Sequence, residues 1–116
     1  MDKEVNFDFS AEAMPIYEYV CKRALTSKSE RIMLRAILRN MELIRKNPHT
    51  GNPIAKNLIP KEYIKKYAVK NLYRIELPMF WRMLYTIKDN QVEIIAFVLD
   101  IIDHKEYNKK FRYTKK

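Results

Sequence analysis

The sequence predicts an α+β fold: an N-terminal strand and a helical hairpin packed on an antiparallel sheet of about four strands. Two observations carry this expectation. Between Asn71 and Ile102, three apolar, β-branched and aromatic runs are separated by two short turn signals, the pattern of an antiparallel meander. Ahead of them lie two stretches whose apolar residues recur at helical spacing, joined so tightly that they must fold back on each other. The 116 residues suit one domain spanning 1–116, and a hydrophobic fraction of 47% is enough to build a core.

The elements follow in order. Val5-Asn-Phe-Asp-Phe9 alternates apolar and polar residues, as a short first strand does, and Ser10 follows as a cap. Ile16, Tyr17, Val20, Cys21, Ala24 and Leu25 share one helical face, so a helix is expected from about Pro15 to Leu25, with proline tolerated near its start. Ser27-Lys-Ser-Glu30 has the capping-box pattern and opens a second helix reaching about Lys46. Met33, Ile37, Met41 and Ile44 form its apolar stripe, and Arg31, Arg35, Arg39, Glu42 and Lys46 its charged one. That charged row is either a solvated face or a contact for nucleic acid or an acidic partner. Asn47 to Pro53 reads as a loop holding the single glycine, and Pro60 to Tyr67 as a short helix with proline first. Its Tyr63 and Tyr67 either plug the core or stack on bases.

In the meander, the runs are Asn71–Leu77, Phe80–Ile87 and Val92–Ile102. Pro78 breaks the first junction and Asp89-Asn90 turns the second. The third run is apolar on both faces, so it is expected to be a buried central strand. Alternation puts Tyr73, Ile75 and Leu77 on one face with Trp81, Met83, Tyr85 and Ile87 available to join them. Arg74, Glu76 and Arg82 fall among the residues of the other face. Charges placed in mid-strand are either paired or used. Glu76 with an arginine makes a cross-strand pair worth roughly 0.2–1 kcal/mol, or the three together handle an anion. The outcome hangs on register. Pairing Leu77 with Phe80 would leave Arg82 on the wrong side, whereas a register setting Glu76 opposite Arg82 and Arg74 opposite Leu84 lines all three on one surface.

Charge and cysteine content narrow the function classes. Lysines and arginines outnumber acids 23 to 14, and the resulting net charge of +9 points to polyanions or an acidic protein partner. One cysteine, Cys21, excludes an internal disulfide, fits a reducing cytoplasm, and reads as packing rather than a nucleophile. No apolar run approaches the roughly 18 residues of a membrane span, and the polar Met1-Asp-Lys-Glu4 is unlike a signal peptide. A cytoplasmic protein without a membrane partner is therefore expected. Metal-ligand spacing, a phosphate-binding glycine loop and a nucleophile elbow are all missing from the sequence, so neither metal nor cofactor is expected. Basic residues cluster at Lys61, Lys65, Lys66 and Lys70, and again at Lys105, Lys109 and Lys110 in a tail running from His104 to Lys116. They are the candidate phosphate contacts.

Three segments together resemble the RelE/ParE toxin superfamily: Tyr73-Arg-Ile-Glu-Leu77, then Trp81-Arg-Met-Leu-Tyr85, then an apolar strand running into His104-Lys-Glu-Tyr107. The ending is similar to the HigB branch. Two helices before the meander complete the likeness, which covers most of the chain. The resemblance implies the toxin of a type II toxin–antitoxin pair, a ribosome-dependent mRNA endoribonuclease. Its partners would be the ribosome, mRNA and an acidic antitoxin wrapping the domain, with any oligomer forming through the antitoxin. The same likeness leaves two alternatives: a ParE-like binder that inhibits a topoisomerase without catalysis, and a domain of this fold that only binds RNA or protein.

Cleaving RNA requires a base for the 2′-hydroxyl, stabilisation of a phosphorane-like transition state, a proton for the departing 5′-oxygen, and in-line positioning. Arg82 matches the family's catalytic arginine, and Arg74 falls where RelE has a basic residue. Glu76 departs from the pattern, standing where RelE has a second lysine thought to act as base; the related YoeB toxin uses a glutamate as base, but from elsewhere in the chain. His104 and Tyr107 resemble the C-terminal catalytic pair of the HigB branch, with Asp103 placed to orient His104. Otherwise His104 caps the last helix and Tyr107 packs on the sheet.

Overall fold

The computed structural model describes residues 3–112. In chain order they form β1 (Glu4–Phe9), α1 (Ala13–Arg23), α2 (Lys28–Lys46), β2 (Asn52–Pro53), α3 (Lys61–Tyr67), β3 (Tyr73–Leu77), β4 (Trp81–Asp89), β5 (Glu93–Asp103) and α4 (His104–Arg112). A short 3-10 turn occupies Lys56–Leu58, and a tight three-residue turn Pro78–Phe80. The strands make one five-stranded sheet in the order β1-β5-β4-β3-β2.

The α+β expectation holds, with two corrections to the sheet. It has five strands rather than four, because Asn52 and Pro53, expected in a loop, pair with Arg74 and Tyr73. It is also mixed rather than antiparallel, because β1 runs parallel to β5, from Glu4 opposite Glu93 to Phe9 opposite Val98. Antiparallel neighbours can be joined by a tight turn, but β1 and β5 are separated by most of the chain, so no hairpin dictates their direction. β5 is an interior strand, flanked by β1 and β4, as its two apolar faces require.

Alternation along the strands builds two cores. On one face Val5, Ile75, Leu77, Met83, Tyr85, Ala96, Val98 and Ile101 meet the stripe of α2 (Met33, Ile37, Met41 and Ile44) together with Ala13 and Val20 of α1. Ile37 and Ile44 are fully buried, each worth roughly 1.5–3 kcal/mol of hydrophobic transfer. The opposite face carries a second core of Ile59, Tyr63, Val69, Leu72, Leu84, Leu99 and Phe111, roofed by α3 and α4. A bulge makes this second core possible. Leu84 pairs with Asp100 but Tyr85 with Val98, so Leu99 is an extra residue, and two consecutive side chains of β5 turn toward α3 and α4.

Local chemistry sets the ends. The buried Ser10 hydroxyl donates to the Leu99 carbonyl at 2.6 Å and accepts the Ala13 N–H at 3.0 Å, so it starts α1 while tying it to β5. Ser27 stands before α2 as the capping-box pattern requires, but its hydroxyl meets that of Ser29 instead of a backbone N–H. The pattern locates the start without supplying the cap. Asn90 closes the β4–β5 hairpin, its side-chain oxygen accepting from the backbone of Val92 and Glu93, both at 2.8 Å.

Candidate functional site

Arg74 and Glu76 leave β3 on the face away from the helical hairpin, and the β3–β4 register decides what they meet. Glu76 lies opposite Arg82 and Arg74 opposite Leu84, the alignment that puts all three charges on one surface. The turn achieves it. Pro78, Met79 and Phe80 form the junction, and both Met79 and Phe80 take left-handed backbone angles, with φ of 61° and 63°. This three-residue turn shifts the pairing by the one position that a direct Leu77–Phe80 pairing would have missed.

The carboxylate of Glu76 sits between two guanidinium groups. Its Oε2 is 2.9 Å from Arg74 Nε and its Oε1 is 3.4 Å from Arg82 Nε. Both Nε atoms are buried and neither makes an aligned hydrogen bond, so the contacts with Glu76 are electrostatic. Tyr107, reaching down from α4, roofs the pair. Its ring centroid lies 4.8 Å from the Arg82 guanidinium carbon and 5.7 Å from that of Arg74. Its hydroxyl accepts a hydrogen bond from Arg74 Nη1 at 2.9 Å. That bond, aided by the nearby Glu76 and opposed by burial, raises the pKa of Arg74 further above its ordinary value. Tyr107 is held in turn by Phe111, with ring centroids 4.3 Å apart.

Four of the five residues expected at the site therefore converge: Arg74, Glu76, Arg82 and Tyr107. His104 is placed otherwise. It is the first residue of α4, exposed, and its ring meets the ring of Phe80 edge-on at 5.7 Å. Asp103 does not orient it. The Asp103 carboxylate accepts the Glu106 N–H at 2.9 Å and so caps α4, the role that His104 was the candidate for.

The lysines divide as well. Lys61, Lys65, Lys70 and Lys105 are exposed and unpaired among the described residues. Lys66 is ion-paired with Glu12, which also accepts from the Tyr67 hydroxyl. Lys109 lies 3.7 Å from Glu106. Lys110 does not belong with the phosphate contacts. Its ammonium is 2.9 Å from Glu62 and 3.3 Å from the buried Asp100, above the Tyr63 ring, and its side chain is only 16% exposed. Tyr63 donates to Asp100 at 2.6 Å, so this tyrosine takes the core role of its two readings. Burial raises the pKa of Asp100 despite both partners. The network pins α3 and α4 to β5 and thereby sets where Tyr107 stands. A lone aspartate inside the apolar run of β5 was the sequence signal for it. The part of the basic tail beyond Arg112 lies outside the described residues.

No protein-family model and no curated protein matches the chain. Among solved structures it is similar to a YoeB/ParE toxin from Agrobacterium tumefaciens, with a TM-score of 0.60 over 85% of this chain and 98% of that one at 12% identity. A likeness so distant in sequence is a likeness of backbone: the chain shares the fold of that toxin, in line with the fold expected from Tyr73–Leu77, Trp81–Tyr85 and the two preceding helices.

Proposed function

We propose that this protein is the toxin of a type II toxin–antitoxin pair and acts as an endoribonuclease on mRNA held in the ribosome. One observation carries the reading: two arginines, a carboxylate and a tyrosine from three separate elements gather on one surface. Two guanidinium groups against one carboxylate leave a single net positive charge, which suits a phosphodiester and suits the additional charge of its transition state better.

Each requirement of the reaction then has a group. Glu76, half exposed, takes the proton of the 2′-hydroxyl. The 2′-oxygen forms a bond to phosphorus as the bond from phosphorus to the 5′-oxygen breaks. Arg74 and Arg82 offer fork geometry to the phosphoryl oxygens. The Tyr107 hydroxyl accepts from Arg74 and so keeps its own proton for the departing 5′-oxygen. Lys61, Lys65, Lys70 and Lys105, on or beside the helices that roof this face, supply the long-range attraction for a polyanion.

An acidic antitoxin is supported by a second surface. Between α2 and the β3–β4 turn, Ile32, Ala36, Leu43 and Pro78 line a groove flanked by Arg35 and Arg39, which have no acidic partner among the described residues. The test is expression of the protein by itself in a permissive host, with message ends mapped by primer extension. Arrest of translation with cut messages is expected from the wild type, and neither from Arg82→Ala. Arrest with intact messages and a blocked topoisomerase would favour the ParE-like alternative, and harmless expression of both forms would favour a binding domain.

A further inference from the structure

Phe80 is the feature of this surface that the reaction leaves unexplained. It is 73% exposed, although burial is where a phenylalanine gains free energy. It also has a left-handed φ of 63°, directly after Met79 at 61°, a region that bulky residues rarely occupy and that stores backbone strain. A glycine would make this turn without strain. Yet the chain places a large flat ring there and sets the His104 ring against it at 5.7 Å. The pair is fastened to the charged cluster at both ends. Arg82 Nη1 approaches the Phe80 carbonyl at 3.4 Å, and His104 stands one helical turn before Tyr107 on α4.

The guanidinium pair is therefore flanked by two aromatic elements: Tyr107 over it, and the Phe80–His104 pair beside it. An acidic peptide offers carboxylates to such a surface but has no regular supply of flat rings. A single-stranded nucleic acid alternates anionic phosphates with flat bases, and aromatic platforms beside basic grooves bind it by stacking. We infer that Phe80 and His104 form a base-stacking subsite for the RNA nucleotide adjoining the phosphate bound at Arg74 and Arg82. The inference rests on the RNA-cleaving reading above and adds a substrate contact to it.

The test uses a short single-stranded oligoribonucleotide with methylated 2′-hydroxyls, which binds without being cut. Binding is followed at low salt by the fluorescence of Trp81, the residue next to Phe80. Phe80→Gly should weaken binding about tenfold, the scale of one stacked base, while its melting temperature stays level or rises as the strained turn relaxes. Replacing one base of the oligonucleotide by an abasic site should weaken the wild type by the same factor at one position, and there Phe80→Gly should lose nothing further. Arg82→Ala should weaken binding at every position. If the wild type binds and Arg82→Ala weakens it but Phe80→Gly does not, the stacking subsite is overturned and the RNA reading stands. If the wild type binds neither the free oligonucleotide nor a programmed ribosome carrying it, both fall. A Phe80→Gly protein that melts lower, or that loses affinity for an acidic peptide instead of RNA, shows that the ring serves packing or a protein partner and overturns the inference.

Discussion

Truncating Arg82 separates catalysis from stability. Arg82→Ala removes one of two guanidinium groups aimed at the surface where phosphate charge would grow. Loss of a single preorganised donor of that kind slows a reaction by about 10²–10³-fold, or about 2.7–4 kcal/mol. The structural effect is smaller and can be built from contacts. The ion pair with Glu76 spans 3.4 Å to a carboxylate that is half exposed, worth about 0.5 kcal/mol after screening. The stacking under Tyr107 at 4.8 Å adds about 0.5–1 kcal/mol. An exposed arginine is seldom worth more than about 0.5 kcal/mol, but this side chain is only 21% exposed, so a total near 1 kcal/mol is expected. That lowers the melting temperature by about 4 °C in a chain of this length. Arg82→Lys keeps the charge but loses the fork and the flat contact with Tyr107, so its rate should fall between the two. The assay is single-turnover cleavage of mRNA on programmed ribosomes, with ribosome affinity and thermal unfolding measured on the same samples. A folded Arg82→Ala protein that binds ribosomes and cleaves at the wild-type rate would refute the assignment of this cluster to cleavage.

Three further outcomes follow from the packing. Lys110→Met strands the buried Asp100 with only the Tyr63 hydroxyl and should destabilise the protein by about 3 kcal/mol in urea unfolding; adding Asp100→Asn should recover part of that, because the unpaired charge goes too. Gly51→Ala places a Cβ 3.0 Å from Tyr85 Cε1 and 3.1 Å from the Arg74 carbonyl, next to the Tyr85 hydroxyl that accepts from Gly51 N and donates to Pro48. Thermal unfolding should report a loss of about 1–3 kcal/mol. Acid unfolding should depend on Glu12, whose pKa is lowered from 4.5 to about 2 by hydrogen bonds from Lys66 and then Tyr67. A depressed carboxylate stabilises the fold above its unfolded pKa, so this contribution is present above about pH 4.5 and is lost as pH falls toward 2. Glu12→Gln should flatten the stability profile across that window, whereas Asp100, with a raised pKa, works in the opposite sense and favours the fold as pH falls.

Much of the site was legible because covalent geometry makes it so. Side chains alternate along a strand, which puts Arg74 and Glu76 on one face and Tyr73, Ile75 and Leu77 on the other before any partner is known. The same rule needed help at Arg82. Two registers fit the residues, and the turn at Pro78–Phe80 chose between them by holding two non-glycine residues at positive φ. Nothing in the sequence announces that conformation, since Met79 and Phe80 are poor candidates for it. His104 and Lys110 stand apart from the charged cluster for a related reason. Sequence places both in a basic, aromatic tail, but α4 turns Lys110 inward to Asp100 and leaves His104 at the rim against Phe80.

By itself the sequence determined what depends on neighbours along the chain: two helices from a 3.6-residue period, strands from a two-residue one, the interior position of β5 from its two apolar faces, and a basic character that seeks anions. The tertiary structure decided what depends on partners far apart in sequence. It set β1 parallel to β5, recruited Asn52 and Pro53 as a fifth strand, and opened a bulge at Leu99 that turns Asp100 toward Lys110. It also brought Tyr107 from the last helix over two arginines 33 and 25 positions earlier. Local periodicity is written in bond angles and backbone sterics, whereas these pairings are chosen only by which buried surfaces and charges fit together once the chain has closed on itself.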